Sequence, residues 1–218
     1  MSDIKLILFD LDGVLVDACD WHWISLNGAL KEICNFELSY EEHMKTFNAL
    51  PTSKKLETLV AQNRISTIDV DRIWELKQKN TYETIEKHAE IDYDKIELMK
   101  ELKSRNFKIG CVTNSIRTSA ELMLKKTGQF EYIDYLVSNN DMDEPKPAPD
   151  GYNQAMSYFN ISEMHTLIVE DSDRGYTAAV LSGAHVMRVK DSYEVTTENI
   201  NKHTRNCEYI NTHGRRGK

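Results

Sequence analysis

Long apolar runs, paired cysteines and an excess of basic charge are all missing from this sequence. No stretch approaches the roughly 20 apolar residues that a membrane-spanning helix needs, so no membrane partner is expected. The four cysteines, Cys19, Cys34, Cys111 and Cys207, lie far apart and form no Cys-x-x-Cys pair, which argues against a structural zinc site. The formal net charge of −8 is a poor match to nucleic acid, which calls for a basic face, so no nucleic-acid partner is expected either. The one basic concentration, "HGRRGK" at the C-terminal end, reads as a solvated tail. The first residues show no basic stretch leading into a long apolar core, so no export signal is read there. Internal repeats and low-complexity segments are also lacking. The expectation is a cytoplasmic protein of a reducing compartment with free thiols.

The 218 residues, 40% apolar and 28% charged, suit a globular chain of one domain with an insertion, or of two small domains. Five apolar runs predict buried strands: 4–9 "IKLILF", 108–112 "KIGCV", 133–137 "IDYLV", 166–169 "TLIV" and 185–189 "HVMRV". Amphipathic segments lie between the later ones. Residues 95–105 place Ile96, Met99 and Leu102 at helical spacing. Residues 118–127 start at a plausible cap, Thr118 or Ser119, and stop at Gly128. Further helices are predicted at 150–159, 175–182 and near 196–206. Alternating strands and helices imply a parallel sheet with helices on both faces.

One gap breaks this rhythm. Almost a hundred residues separate the first two strands, and they carry helical patterns at about 22–33, 40–47, 53–61 and 70–88. The expected fold is therefore an α/β, Rossmann-like parallel sheet core (three-layer α/β/α, residues 1–17 and 89–218) with an inserted α-helical cap domain at 18–88. Ligands of open α/β sheets sit at the carboxyl ends of the strands. An insertion placed there would roof that edge as a lid.

The predicted strand ends are all polar. The first runs into "FDLDGVLVD", with Asp10 and Asp12 one residue apart. The second ends in Thr113, Asn114 and Ser115, the third leads to Lys146 between two prolines, and the fourth ends in Glu170, Asp171 and Ser172. Singly, each reads as a turn, a helix cap or a loop. Together they supply a phosphoryl-transfer chemistry. Asp10, Glu170 and Asp171 offer hard oxygen ligands that suit Mg²⁺. Thr113, Ser115 and Lys146 offer donors and positive charge to phosphate oxygens. One carboxylate can attack phosphorus to give an aspartyl-phosphate, while a second protonates the leaving oxygen and then activates water. The adjacent acids, which would otherwise repel, coexist through a divalent cation and a protonated Asp12.

These residues resemble the haloacid dehalogenase superfamily of phosphotransferases over approximately residues 4–190. The motifs are Asp10–Asp17 "DLDGVLVD", Thr113-Asn114-Ser115, Lys146 in "PKPAPDGY" and "VEDSDRGYTAA". The resemblance implies that Asp10 is the nucleophile and Asp12 the general acid/base. It implies Mg²⁺ held by Asp10, the Asp12 carbonyl, Asp171 and, in support, Glu170, with Thr113, Asn114 and Lys146 on the phosphoryl group. The insertion looks like the helical cap of the subclass that includes β-phosphoglucomutase and many small-metabolite phosphatases. Response-regulator receivers share an acid cluster, a Thr and a Lys, but in a different order and without the insertion.

Two activities compete within that resemblance. His22, five residues after Asp17, and Lys79 in "KQKNTY" match mutase cap residues. Against them, Ala18 stands where the mutase has a hinge threonine. The cap loop reads Ala49-Leu50-Pro51-Thr52 followed by Lys54 and Lys55, so the mutase's phosphate-binding arginine is absent, and a lysine lacks its bidentate fork. Arg117 could compensate. The favoured reading is a Mg²⁺-dependent phosphomonoesterase acting on a small phosphorylated metabolite. The alternatives are a β-phosphoglucomutase-like hexose-phosphate mutase and a non-catalytic phosphometabolite-binding protein.

Overall fold

In a computed structural model, which describes residues 4–213, five parallel strands form one sheet. They are β1 (Leu6–Phe9), β2 (Lys108–Val112), β3 (Tyr135–Val137), β4 (Thr166–Glu170) and β5 (His185–Arg188), ordered β3-β2-β1-β4-β5. The last five residues of the basic tail lie outside the described residues. β1 is central, with Leu6–Phe9 paired to Lys108–Cys111 on one side and to Thr166–Val169 on the other. A strand covered on both faces has no solvent side to supply polar alternation, and all four of its residues are buried. The prediction at 133–137 runs two residues long because Phe130–Tyr132 forms a 3-10 turn that carries the chain to Tyr135.

The described chain falls into two compact units: the residues up to Asp17 with those from Ile91 onward, and Ala18–Glu90. The second is helical: α1 (Cys19–Cys34), α2 (Tyr40–Glu42), α3 (Thr52–Ala61) and α4 (Val70–His88). Leu26, Ala29 and Leu30 pack with Phe47, Leu56, Leu59 and Ile73 in its core. The predicted helix at 40–47 is α-helical only to Glu42. His43–Phe47 then winds into a wider π-helical turn and ends before Ala49, a non-glycine residue at φ +58°. Such turns and such backbone angles cluster at functional segments.

In the sheet unit, α5 (Tyr93–Ser104) is capped by Asp92, whose carboxylate accepts from the Lys95 N–H at 2.9 Å. α6 (Arg117–Lys126) starts one residue before the expected caps, so Thr118 and Ser119 lie within its first turn. The Asn140 side chain takes over, accepting from the Arg117 N–H at 2.9 Å. Gly128, at φ +76°, ends this helix as expected, in a conformation few other residues adopt. α7 (Asp150–Phe159) and α8 (Asp173–Leu181) cover one sheet face, where Tyr152, Ala155, Ala178 and Ala179 meet Leu6, Leu8, Val112 and Ile168. α9 (Thr197–His213) follows β5. Among the described residues no helix is long and apolar enough to cross a membrane.

Candidate active site at the strand ends

β1 delivers Asp10 directly out of the sheet, its N–H still donating to Val169 O at 3.0 Å. The loop that follows is tight. Leu15 N–H donates to Leu11 O at 2.9 Å, Gly13 N–H to Val16 O at 2.8 Å, and the buried Gln129 amide to Leu15 O at 3.0 Å. Gly13 has φ +87°, and a Cβ there would lie 2.2 Å from Asp171 Oδ2. Only glycine allows both the turn and the approach of that carboxylate.

The two neighbouring acids avoid each other by choosing different partners. Asp10 Oδ1 accepts from Lys146 Nζ at 2.7 Å. Asp12 Oδ2 accepts from Ser115 Oγ at 2.8 Å and, more weakly, from Thr113 Oγ1 at 3.4 Å. Lys146 has three ammonium protons and three acceptors: Asp10, Val112 O at 2.7 Å and Glu170 Oε1 at 2.6 Å. Asn114 fixes the lysine's backbone at both ends. Its Oδ1 accepts from the Lys146 N–H at 3.0 Å and its amide donates to Lys146 O at 3.2 Å. Asn114 thus positions the lysine, a role its place in "TNS" did not reveal.

Glu170 is fully buried and engaged on both oxygens. Oε1 accepts from Lys146 and from the Tyr152 hydroxyl at 2.6 Å, and Oε2 faces the start of α8, with Asp171 N–H at 3.2 Å and Ser172 N–H at 3.4 Å. A helix N-terminus favours such an anion. A Cβ on Gly175, in the first turn of α8, would sit 1.8 Å from Glu170 Oε1, so the glycine makes room for this carboxylate. Asp171 differs: its Oδ1 is buried and finds no hydrogen-bond partner among the described residues.

The electrostatics follow from this crowding. Burial pushes the Asp10 carboxyl well up, against the pull of Lys146, with Glu170, Asp171 and Asp12 adding to the rise. Asp171 is pushed up to about 7, by burial and then by Glu170. Burial acts to discharge Lys146, but Asp10 and Glu170 outweigh it and keep the ammonium charged. One oxygen from each of Asp10, Glu170 and Asp171 lies within 4.8 Å of the others. Two carboxylates share one ammonium, and the third, Asp171, keeps a buried oxygen unengaged beside them, a set that fits a divalent cation with hard oxygen ligands.

The structure thus brings together Asp10, Asp12, Thr113, Asn114, Ser115, Lys146, Glu170 and Asp171. Arg117 is held elsewhere, on Asp141 at 2.7 Å, Leu136 O at 3.1 Å and Glu121 at 3.5 Å. In the helical unit His22 is half-buried. Lys54 is exposed and paired with Glu57 at 2.8 Å, and Lys79 is exposed, 3.9 Å from Glu83. The buried bases of that unit are others: His43, Lys55 and Lys77. Helical periodicity could have found Lys77, because Ile73, Lys77, Thr81 and Ile85 recur every fourth residue along the buried face of α4. His43 is fully buried, with neither ring nitrogen hydrogen-bonded among the described residues. Burial, then Lys55, His22 and Lys77, push it down to about 3.

Comparison with known proteins places the chain in a family. The model of the haloacid dehalogenase-like hydrolases matches residues 7–189, and the chain belongs to that family. It is 30% identical over 196 residues to the pyrophosphatase PpaX of Oceanobacillus iheyensis, covering 87% of this chain and 86% of that protein. It is 28% identical over 197 residues to a phosphoglycolate phosphatase of Nitrosospira multiformis, covering 87% and 85%. Among solved structures, β-phosphoglucomutase from Clostridium difficile has a TM-score of 0.80 at 19% identity, covering 95% of this chain and 99% of that one, a likeness of fold.

Proposed function

We propose that this hydrolase is a Mg²⁺-dependent phosphomonoesterase of the reducing cytoplasm, acting on a small phosphorylated metabolite, with the helical insertion as its substrate-selecting cap. The observation that carries the reading is the Asp10–Lys146–Glu170 triad at the end of β1, with the unengaged Asp171 oxygen beside it. Asp10, Asp171 and the Asp12 carbonyl would hold the ion, with Glu170 in support. Bound there, it would offset the carboxylates' charge and polarise the phosphoryl oxygens.

The chain's own groups do the rest. Asp10 attacks phosphorus and takes the phosphoryl group as an aspartyl-phosphate. Lys146 stays beside Asp10 as a fixed cation, and Thr113 and Ser115 donate to the phosphoryl oxygens. Asp12 protonates the leaving oxygen and then takes a proton from the water that releases phosphate. In the helical unit the buried bases Lys55 and Lys77 are stronger candidates for recognising an anionic substrate group than the exposed Lys54 and Lys79, and the half-buried His22, which like them acts on His43, stays a candidate too.

The test is phosphate release over a panel of phosphorylated metabolites, phosphoglycolate and pyrophosphate included, with Mg²⁺, repeated with Asp10→Asn. The variant should lose activity by at least about a thousandfold, because covalent catalysis is removed. A variant that keeps more than about a tenth of the wild-type rate removes Asp10 as nucleophile. Conversion of β-glucose 1-phosphate to glucose 6-phosphate with a bisphosphate primer, without phosphate release, would instead establish the mutase.

A further inference from the structure

Tyr152 has no part in the mechanism above, yet it is as deeply buried as any residue of the centre. Its ring packs among Leu8, Val112 and Ile168 and is fully covered. Phenylalanine would fill that space without a hydroxyl to satisfy, and burying a hydroxyl is unfavourable unless it is bonded. The Tyr152 hydroxyl lies 2.6 Å from Glu170 Oε1, the oxygen that also accepts from Lys146 Nζ at 2.6 Å. Lys146 Nζ also stands 4.8 Å from the centre of the Tyr152 ring.

The arrangement is a contest for one ammonium. Glu170 and Asp10 each accept from Lys146, at 2.6 and 2.7 Å. A second donor on Glu170 Oε1 disperses that carboxylate's charge and weakens its hold on the lysine. We propose that Tyr152 is a positioning residue: by donating to Glu170 it keeps Lys146 shared with Asp10, beside the carboxylate that receives the phosphoryl group. It acts through Glu170 and touches no substrate. The inference rests on Asp10 as nucleophile.

The experiment is steady-state kinetics of Tyr152→Phe, Glu170→Gln and the double variant in the full chain, with p-nitrophenyl phosphate and Mg²⁺, beside thermal denaturation of each. For Tyr152→Phe, kcat should fall about tenfold, the value of one charge-assisted hydrogen bond. KM should stay within about twofold and the melting midpoint within a few degrees of wild type. In the Glu170→Gln background, Tyr152→Phe should change kcat by less than about twofold, because the path runs through that carboxylate. An unchanged kcat overturns the proposal. So does a rise in KM alone, a full tenfold loss repeated in the Glu170→Gln background, or a collapse of the melting midpoint, which would assign Tyr152 to the core. Failure of the nucleophile reading shows separately, as activity retained by Asp10→Asn.

Discussion

Each unit of this chain buries charge-bearing side chains, and it does so in opposite ways. In the sheet unit the buried groups interlock: Lys146 finds three acceptors, and Glu170 accepts from Lys146, Tyr152 and the start of α8. In the helical unit His43 is just as buried, but its ring nitrogens have no hydrogen bond among the described residues, and the buried Lys55 and Lys77 act on it electrostatically. A satisfied network resists the loss of any member, because the survivor is left charged and unpaired. An unsatisfied ring is a standing cost that the surrounding packing offsets.

That contrast is broken most severely at Lys146. Lys146→Met should lower unfolding stability by about 3–5 kcal/mol, since it strands buried carboxylates, and urea denaturation will measure the loss. Phosphate release should fall by roughly a hundredfold or more, the cost of removing a preorganised cationic donor. Gly175→Ala comes next. Its Cβ would land on a Glu170 carboxylate that is pinned on both oxygens, and overpacking of this kind costs roughly 1–3 kcal/mol. The same denaturation experiment will read it.

His43 should respond with the opposite sign. Replacing it by leucine removes an unsatisfied polar group and should raise stability by about 1 kcal/mol. The pH dependence gives a sharper reading. His43 is held near 3 in the folded chain against an ordinary 6.5, so the unfolded chain takes up its proton first as pH falls. Its contribution is full above 6.5 and drains toward 3, by at most about 1.4 kcal/mol per pH unit. Asp171, raised to about 7, works in the other direction in metal-free protein. The difference between the wild-type and His43→Leu stability curves from pH 7 to pH 5 isolates the histidine. A flat difference would mean that the ring protonates normally in the folded state. The smallest effect is expected at Lys79→Ala, on the exposed face of α4, which should leave the denaturation midpoint unchanged within error.

The strands and most helices were legible because burial on both sheet faces, or along one helix face, leaves a pattern in neighbouring residues. β2 and α4 match their expected limits to the residue. The acids and the "TNS" segment were legible because each stands at a strand end, and Lys146 because it sits between two prolines in the segment that follows β3. Pairings between distant segments were not. Asn114 holding Lys146, and Tyr152 holding Glu170, join elements whose meeting depends on the sheet order. Thr118 and Ser119 failed as caps because an asparagine 23 residues away satisfies the helix start instead. The buried Lys55 and Lys77 were obscured by their own charge, since a lysine ordinarily marks the solvent side.

The central position of β1 has a kinetic consequence. Leu6 pairs with Lys108 and Thr166, so the first strand made has no neighbour until much of the chain exists. At synthesis rates of roughly 5–20 residues per second, the apolar Leu6–Phe9 segment waits on the order of ten seconds unpaired. The insertion can shorten that search. Ser25 on α1 meets Asn80 and Thr84 on α4, so folding of the helical unit joins the start of α1 to the end of α4 and turns a long loop closure into a short one. The insertion would then also act as a folding clamp, and substitutions that weaken its α1–α4 packing while keeping its length should slow refolding even where the sheet's own residues are untouched.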